Sequence, residues 1–297
     1  MFRCMTHIAF LGTGLLGSGL AEASAKRGNT VTAWNRTAEK ARALEQFGVR
    51  VADTPADAVR GAERVHLVLK DDAVVEDIIA ACRPGLAPDT IIIDHTTTQP
   101  ALTAARATRL NSEGVRYIHC PVFIGPASAR VQQGIVLASG PQALFDEVKD
   151  ELAAMGSKLE YFGERPDLAA VYKLCGNAYI IGIAALVSDV FAIAGGAGVA
   201  PTDAVRIMDF FNPTAIITGR GRNMAAAKYT PGFELAMARK DVRLMIETAG
   251  SIPLTSLPGV AERMDELIAE GHGADDIAIL GKHAIGATIP DHAAAHP

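Results

Sequence analysis

A glycine-rich segment directly after an apolar run is the feature that most restricts the fold of this chain. The segment reads Gly12-Thr13-Gly14-Leu15-Leu16-Gly17, follows the apolar run 7–11 and opens a helical pattern over 15–27. In such a unit of about thirty residues, the three glycines permit a tight turn, approach of the backbone to a pyrophosphate, and close helix–strand packing. The helix N-terminus adds amide donors for an anion. The segment therefore predicts a dinucleotide site; a plain glycine-rich turn is the alternative.

The end of the second apolar run discriminates between dinucleotides. An acidic residue about 20 positions after the glycine loop is typical of sites that hold the ribose hydroxyls of NAD. Here the sequence reads Asn35-Arg36-Thr37, with Lys40 one helical turn later. The planar guanidinium of Arg36 can bind a 2′-phosphate, and Lys40 adds positive charge. Asn35 and Thr37 add neutral donors, so these residues predict NADP(H); a solvated surface arginine is the alternative.

Short apolar runs alternate with helical patterns over residues 1–162. Predicted strands are 7–11, 30–34, 65–69, 91–94, 117–122 and 135–139, and predicted helices include 15–27 and 37–47. Strands separated by helices imply a parallel sheet covered on both faces. Helices are expected over 166–194, 201–211, 233–249 and 259–271, with a frayed tail from Ile289. The chain is therefore predicted to be an α/β domain (1–162) followed by an all-helical domain (163–297).

Composition and charge disfavour several classes of function. The formal net charge of the 297-residue chain is −5, so electrostatics give no case for a nucleic-acid partner. The cysteines and histidines are not spaced like metal ligands, so no metal site is predicted. Residues 178–200 are apolar enough to span a bilayer, but Asp189 within them favours burial between domains or subunits. With no cleavable leader evident, we expect a cytoplasmic protein with free thiols that binds small molecules and no membrane.

One lysine stands out in the helical pattern after residue 166. Lys173 and Asn177 are four positions apart, so they share a helix face, and most of their neighbours are apolar. Burial lowers the pKa of a lysine, which suits proton transfer near neutral pH. The alternative is a lysine that reaches the surface with its apolar stem covered. The pair Lys240-Asp241 farther along is typical of any exposed helix and indicates nothing by itself.

Together these segments resemble the β-hydroxyacid dehydrogenase family, which includes 3-hydroxyisobutyrate dehydrogenase and glyoxylate or succinic semialdehyde reductases and is related to 6-phosphogluconate dehydrogenase. The resemblance covers nearly the whole chain. It rests on Gly12 to Gly17, Asn35-Arg36-Thr37, Asp94-His95-Thr96-Thr97 at the DxST segment of the family, Lys173 with Asn177, and Phe233 with Lys240-Asp241. The resemblance implies a Rossmann domain, a long interdomain helix, a helical substrate and dimerisation domain, and a homodimer or homotetramer.

The resemblance also assigns roles to single residues. Lys173 matches the lysine that donates a proton to the carbonyl oxygen in reduction and accepts it in oxidation, and Asn177 matches the amide that orients the substrate. The residues that match cofactor contacts are Leu69, Lys70 and Val74 after the third strand, Thr96 on the nicotinamide side, and Lys240 from the helical domain.

The predicted substrate loop departs from the family pattern. The family reads DAPVSGG, whereas residues 119–125 read His-Cys-Pro-Val-Phe-Ile-Gly, so Phe123 replaces a serine and Ile124 a glycine. These residues remove a hydroxyl donor and crowd the backbone, which favours a more apolar substrate than a small hydroxyacid. The predicted substrate-binding residues are Val122, Phe123, Ile124 and Gly125. This loop and the stretch from Gly163 to Tyr172 instead resemble imine reductases, in which Asp or Tyr commonly stands at the position of Lys173.

Three functions follow from these resemblances. The first is NADPH-linked reduction of an aldehyde or ketone, or the reverse alcohol oxidation, with Lys173 handling the proton. The second is reduction of imines. The third is a catalytically silent NADP-binding scaffold, which the presence of both Lys173 and Asn177 disfavours.

Overall fold

The computed structural model describes residues 6–286, so the tail predicted from Ile289 lies outside the described residues. The chain divides after Asn177 into two compact units. Strands of the first unit are β1 (His7–Leu11), β2 (Thr30–Trp34), β3 (Arg50–Val51), β4 (Arg64–Leu67), β5 (Ile91–Asp94), β6 (Arg116–His119), β7 (Val122–Phe123), β8 (Ile135–Ala138) and β9 (Lys158–Tyr161). Its helices are α1 (Leu15–Lys26), α2 (Ala38–Arg42), α3 (Pro55–Val59), α4 (Asp72–Cys82), α5 (Pro100–Ser112), α6 (Pro126–Arg130) and α7 (Gln142–Ala153), with short 3-10 helices at Glu45–Phe47 and Arg83–Gly85.

The predicted parallel sheet is confirmed, with six strands in the order β3-β2-β1-β4-β5-β6. This is the strand order of dinucleotide-binding α/β domains. In β1, Ile8 and Phe10 pack into one core cluster, while Ala9 and Leu11 pack into the other. Both faces are therefore covered, which explains why the strands read as continuous apolar runs.

A second, three-stranded sheet differs from the prediction of one strand over 117–122. That run divides into β6, in the parallel sheet, and β7, which pairs antiparallel with β8 in a sheet of order β7-β8-β9. Pro121 lies at the division, and its lack of an N–H group prevents continuation of the ladder. Its carbonyl instead accepts a hydrogen bond from the Leu137 N–H, 2.9 Å away. The strands β3 and β9 were not predicted.

Two predicted helices are shorter than their patterns indicate. The segment 37–47 is α-helical only to Arg42, after which i→i−3 hydrogen bonds form, such as Phe47 N–H to Leu44 O. The segment 201–211 divides into two short helices, and Arg206 N–H bonds to Asp203 O, again three residues back. Such tighter turns interrupt the α-helix in both places.

Helices dominate the second unit, as predicted. They are α9 (Pro201–Ala204), α10 (Ile207–Phe210), the unpredicted α11 (Pro213–Ala225), α12 (Leu235–Ala249), α13 (Leu257–Leu267) and α14 (Lys282–Ile285), with a π-helical turn at Ile268–His272 and a 3-10 helix at Ile277–Gly281. A separate core, with Leu235, Leu267 and Ile279 among its most buried members, packs these helices together.

The 29-residue helix α8 (Leu168–Gly196) runs from the first unit into the second. It is long and apolar enough to cross a membrane: an 18-residue window within it has a mean hydropathy of 2.0, yet only 11% of that window is buried within the chain. Asp189 is fully buried on this helix and accepts backbone hydrogen bonds from Thr255, Ser256 and Leu257. Burial raises the pKa of Asp189, but the three N–H donors outweigh it and hold the pKa below its usual value. This carboxylate therefore fixes α8 to the start of α13.

Candidate nucleotide-binding and active site

A cleft of about 330 Å³ lies at the carboxyl ends of β1, β2 and β4. In open α/β sheets, ligands bind at this edge, where the strand order reverses. The cleft is lined by Gly12, Gly14, Trp34, Asn35, Arg36, Thr37, Lys40, Val68, Leu69, Lys70, Val74 and Ile78. Eight of these were predicted from the sequence as cofactor contacts, and Lys40 as added charge nearby.

The three glycines of the loop meet different surroundings. A Cβ added to Gly12, whose φ is +99°, would lie 2.2 Å from the Val68 carbonyl oxygen, and one on Gly17 would lie 2.0 Å from the Gly12 carbonyl oxygen. These two glycines are therefore required by the fold itself. Around a Cβ at Gly14 nothing lies within 4 Å. Gly14 thus leaves open the surface beside which a pyrophosphate would approach.

The start of α1 has no side-chain cap. Gly14 is the N-cap residue, and no acidic residue stands in the first turn. In contrast, Thr54 and Asp71 cap α3 and α4 with their side chains. Uncapped amide groups and the helix dipole form an anion-binding surface at α1.

The remaining loop residues differ in how they face this surface. Thr13 is buried, and among the described residues its hydroxyl has no hydrogen-bond partner. Leu15 is exposed, whereas Leu16 is half-buried against the first core cluster.

The segment after β2 combines a fixed amide with exposed cations. The Asn35 side chain accepts a hydrogen bond from Thr13 N–H at 3.0 Å and donates one to Thr37 O at 2.9 Å, so it ties the two loops together. Arg36 and Lys40 are exposed on the cleft, and no carboxylate among the described residues pairs with either. A phosphate group would meet two cations here that no ion pair already occupies.

The segments after β4 and β5 are joined behind the cleft. Leu69 N–H donates to Thr96 Oγ1 at 3.1 Å, and Thr96 N–H donates to Asp94 Oδ1 at 2.9 Å. Val74 N–H donates to the Asp71 side chain that caps α4, while Lys70 is exposed. Thr96 is therefore buried behind Leu69 and does not line the cleft.

Sequence reasoning missed three apolar contributors to the cleft, Trp34, Val68 and Ile78. Trp34 and Val68 stand next to predicted residues at strand ends, so their position along the strands could have identified them. Ile78 is one turn after Val74 on the same helix face. These residues supply the apolar wall that an aromatic base can pack against.

Lys173 lies on α8 directly over an aromatic ring. Its Nζ is 4.2 Å from the centroid of Phe123, and no carboxylate among the described residues pairs with it. Burial lowers the pKa of Lys173 below its usual value. A Cβ on Gly176 would lie 2.1 Å from Phe123 Cζ, so the ring fills the space above that glycine. Asn177, half-buried, follows Lys173 one turn later.

Of the predicted substrate loop, Phe123 is the residue whose side chain faces Lys173. Val122 and Ile124 are buried in the first core cluster, whereas Phe123 points to α8. Gly125 is exposed and forms the N-cap of α6. Contact of a ligand with Val122 or Ile124 would therefore be through the backbone.

Lys240 belongs to the second unit. It lies on α12, about half exposed, with its Nζ 2.9 Å from Asp241 Oδ1. Its contact with the cofactor stays a prediction. Within residues 6–286, no group of three or more His, Cys, Asp or Glu side chains is placed to hold a metal ion.

Comparison with known proteins identifies the family of the first unit. Residues 7–163 match the family described as the NAD binding domain of 6-phosphogluconate dehydrogenase. The cytokine-like nuclear factor N-PAC of Xenopus tropicalis is 28% identical over 249 residues, which are 82% of this chain and 46% of that protein. The chain thus spans about half the length of the N-PAC proteins it matches. Glyoxylate/succinic semialdehyde reductase 1 of Arabidopsis thaliana is 26% identical over 84% of this chain and 89% of its own length.

Solved structures match over almost the whole chain. A reductive aminase from Aspergillus terreus, in complex with NADPH4, cyclohexanone and allyl amine, superposes with a TM-score of 0.85 at 25% identity, over 94% of this chain and 99% of that chain. An imine reductase from a Pseudomonas species shares the fold, with a TM-score of 0.85 at 22% identity and the same coverage. The predicted two-part architecture, an α/β part followed by a helical part, is confirmed.

Proposed function

The chain belongs to the family of the NAD binding domain of 6-phosphogluconate dehydrogenase, and on that premise we propose that it is an NADP(H)-dependent oxidoreductase acting on a carbonyl or hydroxyl group. The observation that carries the proposal is Lys173, a half-buried lysine that lacks a carboxylate partner among the described residues and has a lowered pKa. Such a lysine releases a proton more readily than an exposed one, which suits proton transfer to a substrate. Domain boundaries at residues 162 and 163, with a helical domain for substrate binding and dimerisation, are part of the proposal.

The choice of NADP(H) rests on charge. Arg36 and Lys40 offer cations on a cleft edge where NAD-preferring sites have an acidic residue. The pyrophosphate would lie against Gly14 and the uncapped start of α1. The solved complexes of the Aspergillus reductive aminase with NADPH and of a Myxococcus stipitatus imine reductase with NADP+ agree with this choice.

In the proposed reaction, NADP(H) held by the glycine loop and Arg36 would supply or accept a hydride at the substrate carbon. Lys173 Nζ donates a proton to the substrate oxygen during reduction and accepts it during oxidation. Asn177, one turn later on the same helix face, orients that oxygen with its amide. Phe123 covers the ammonium group and excludes water from one side of it.

Imine reduction is the second candidate, and Phe123 is the observation that favours it. An aromatic side chain replaces the hydroxyl donor that would bind a substrate carboxylate, so an apolar amine-derived substrate fits this wall. The similarity to the reductive aminase structure supports the same candidate. The semialdehyde reductase relative supports the carbonyl candidate.

A substrate panel with purified protein separates these functions. NADPH consumption is followed with semialdehydes, glyoxylate, ketones and cyclic imines, with NADH in parallel. Lys173→Ala is expected to lower carbonyl reduction at least about 100-fold, in line with the usual contribution of general acid catalysis. Leu174→Ala, at the adjacent exposed position, serves as the matched control. Full activity of Lys173→Ala would refute the proton role, and absence of turnover with every substrate would favour a binding scaffold.

We also propose a homodimer or homotetramer. Exposed apolar side chains on α8 include Tyr179, Ile180, Ile181 and Leu186, and Phe210 and Phe211 add to them in the second unit. Patches of this kind are typical of surfaces covered by a partner. Analytical ultracentrifugation at micromolar concentration is expected to give a mass of two or four chains. A monomer that stays monodisperse would contradict the proposal.

A further inference from the structure

Two histidines and one carboxylate form a hydrogen-bonded chain inside the first unit. The Oε1 atom of Glu151, on α7, is 2.6 Å from Nε2 of His66, on β4. The Nδ1 atom of His66 is 2.7 Å from Nε2 of His95, which follows β5. The last hydrogen bond of the series joins Nδ1 of His95 to the carbonyl oxygen of Cys120, 2.5 Å away. Both imidazoles are buried.

Counting donors and acceptors along these hydrogen bonds fixes the number of protons on the two imidazoles. A carboxylate and a carbonyl only accept, so Nε2 of His66 and Nδ1 of His95 must each carry a proton. The link between the two rings requires a third proton. Two neutral imidazoles hold only two, so the pair carries one net proton, balanced by the carboxylate of Glu151.

This row of hydrogen bonds ends at the segment that would contact substrate. Cys120 directly precedes Pro121, and β7 follows with Phe123, whose ring lies 4.2 Å from Lys173 Nζ. On its other side, His95 is followed by Thr96, which anchors Leu69 at the cleft. The end of the relay is therefore joined to both predicted ligand-contacting segments.

We propose that Glu151, His66 and His95 form a proton-loaded relay that fixes the Cys120 carbonyl and thereby the position of Phe123 against Lys173. The three are positioning residues, since none of them touches Lys173. The part of the proposal that concerns substrate rests on the proposed function; the proton count does not.

Burial distinguishes the two rings of the relay and leaves the third proton of the donor count to His66. Burial lowers the pKa of His95 to about 3, with the neighbouring His66 and His119 lowering it further, so His95 is neutral. Burial raises the pKa of Glu151, but His66 and Arg64, whose Nε is 3.8 Å from Oε2, outweigh it and hold the pKa below its usual value.

Further charged and aromatic groups face the relay from other elements. Arg27, at the end of α1, also lowers the pKa of Glu151. Asp94 acts on the buried thiol of Cys120 by raising its pKa, after burial itself. Phe10 stacks on His66 with ring centroids 4.7 Å apart, which covers the ring with an apolar neighbour.

Nitrogen-15 NMR of histidine-labelled protein tests the proton count without any activity. His66 is expected to carry protons on both ring nitrogens at neutral pH, and His95 on Nδ1 only. Signals are assigned with His66→Gln and His95→Asn. In Glu151→Gln the amide can donate to His66, so His66 should become singly protonated while His95 keeps its Nδ1 proton. Only two protons on the two rings of the unmodified protein would overturn the relay, and a third proton on Nε2 of His95 would overturn its placement on His66.

Kinetics test the positioning role. His95→Leu removes the donor to Cys120 and is expected to raise the substrate KM about tenfold, the effect of losing one buried hydrogen bond, with the Kd for NADPH changed less than about twofold. His95→Asn keeps a donor at the place of Nδ1 and should recover most of the loss.

His7→Gln is the matched control, because His7 begins β1 at the amino end of the sheet, outside the relay, and also bonds through both ring nitrogens. An unchanged KM in His95→Leu, together with the expected NMR pattern, would overturn positioning but keep the relay. Absence of any turnover would instead count against the proposed function.

Discussion

The contact between Phe123 and α8 shows how one residue sets the environment of another. The aromatic face attracts the ammonium group of Lys173 and favours its charged form, while burial disfavours that form. The net effect is a lowered pKa. The ring can lie there only because residue 176 is glycine. Phe123 and Gly176 therefore depend on each other, and together they define the surroundings of the lysine.

Gly176→Ala should disturb this contact. The new methyl group would lie 2.1 Å from Phe123 Cζ, so the ring must move. We expect a loss of about 1–3 kcal/mol in the free energy of unfolding, typical of overpacking, and about a tenfold loss in kcat/KM. Urea unfolding followed by fluorescence of Trp34, the single tryptophan, measures the first effect. Gly182→Ala on the same helix is the control, since a Cβ there meets nothing within 4 Å and alanine favours helix. Equal destabilisation of both variants would contradict a specific clash.

Arg36→Ala should weaken the binding of NADP+ more than the binding of NAD+. Charge-assisted hydrogen bonds contribute about 1.5–3 kcal/mol, so the Kd for NADP+ is expected to rise about 10- to 100-fold while the Kd for NAD+ changes little. Isothermal titration calorimetry with both nucleotides measures this. Arg42→Ala is the control, because Arg42 is also exposed on α2 but does not line the cleft. A parallel loss for both nucleotides would show that Arg36 does not read the 2′-phosphate.

At the scale of helices and strands, the sequence predicted the elements that have a clear local pattern of apolar residues or glycines. Apolar runs identified β1, β2 and β5, and the glycine loop placed the start of α1. The two-residue β3 exists through pairing with β2, and the charged–apolar alternation of β9 spans only four residues, so the local signal of each is weak. Eight of the predicted cofactor residues line one cleft because parallel strands bring their ends to one edge. The relay joins positions 29 and 85 residues apart, which no sequence spacing indicates.

Asp189 shows how an element boundary depends on a distant residue. Asp189→Ala removes the acceptor for three backbone N–H groups at the start of α13 and leaves the buried N–H of Leu257 unpaired. We expect a loss of about 2–4 kcal/mol in the free energy of unfolding, because hydrogen bonds to a charged acceptor are strong and unpaired buried donors are costly. Urea unfolding followed by far-UV circular dichroism measures the loss. Asp189→Asn keeps one acceptor oxygen and should lose less; a loss as large as that of alanine would assign the stabilisation to the charge itself.

For the whole molecule, buried histidines link stability to pH. The folded chain holds His95 neutral down to about pH 3, whereas the unfolded chain binds a proton below about 6.5. The unfolded state therefore binds more protons between these values, and stability falls as pH is lowered, by at most about 1.4 kcal/mol per pH unit for one group. Glu151 acts in the same direction below its ordinary pKa of 4.5, since its folded pKa is lowered.

The resulting expectation is a loss of about 2 kcal/mol in the free energy of unfolding from His95 alone between about pH 7 and about pH 5. Urea unfolding at each pH, read by Trp34 in the same unit, measures the slope. His95→Asn removes the titrating group, so its slope should be shallower, whereas His7→Gln should keep the steep fall because His95 is intact. The remaining slope in His95→Asn would report His119, whose pKa burial also lowers. Identical slopes in the unmodified protein and His95→Asn would mean that His95 is protonated in the folded state, which contradicts the placement of the third proton on His66.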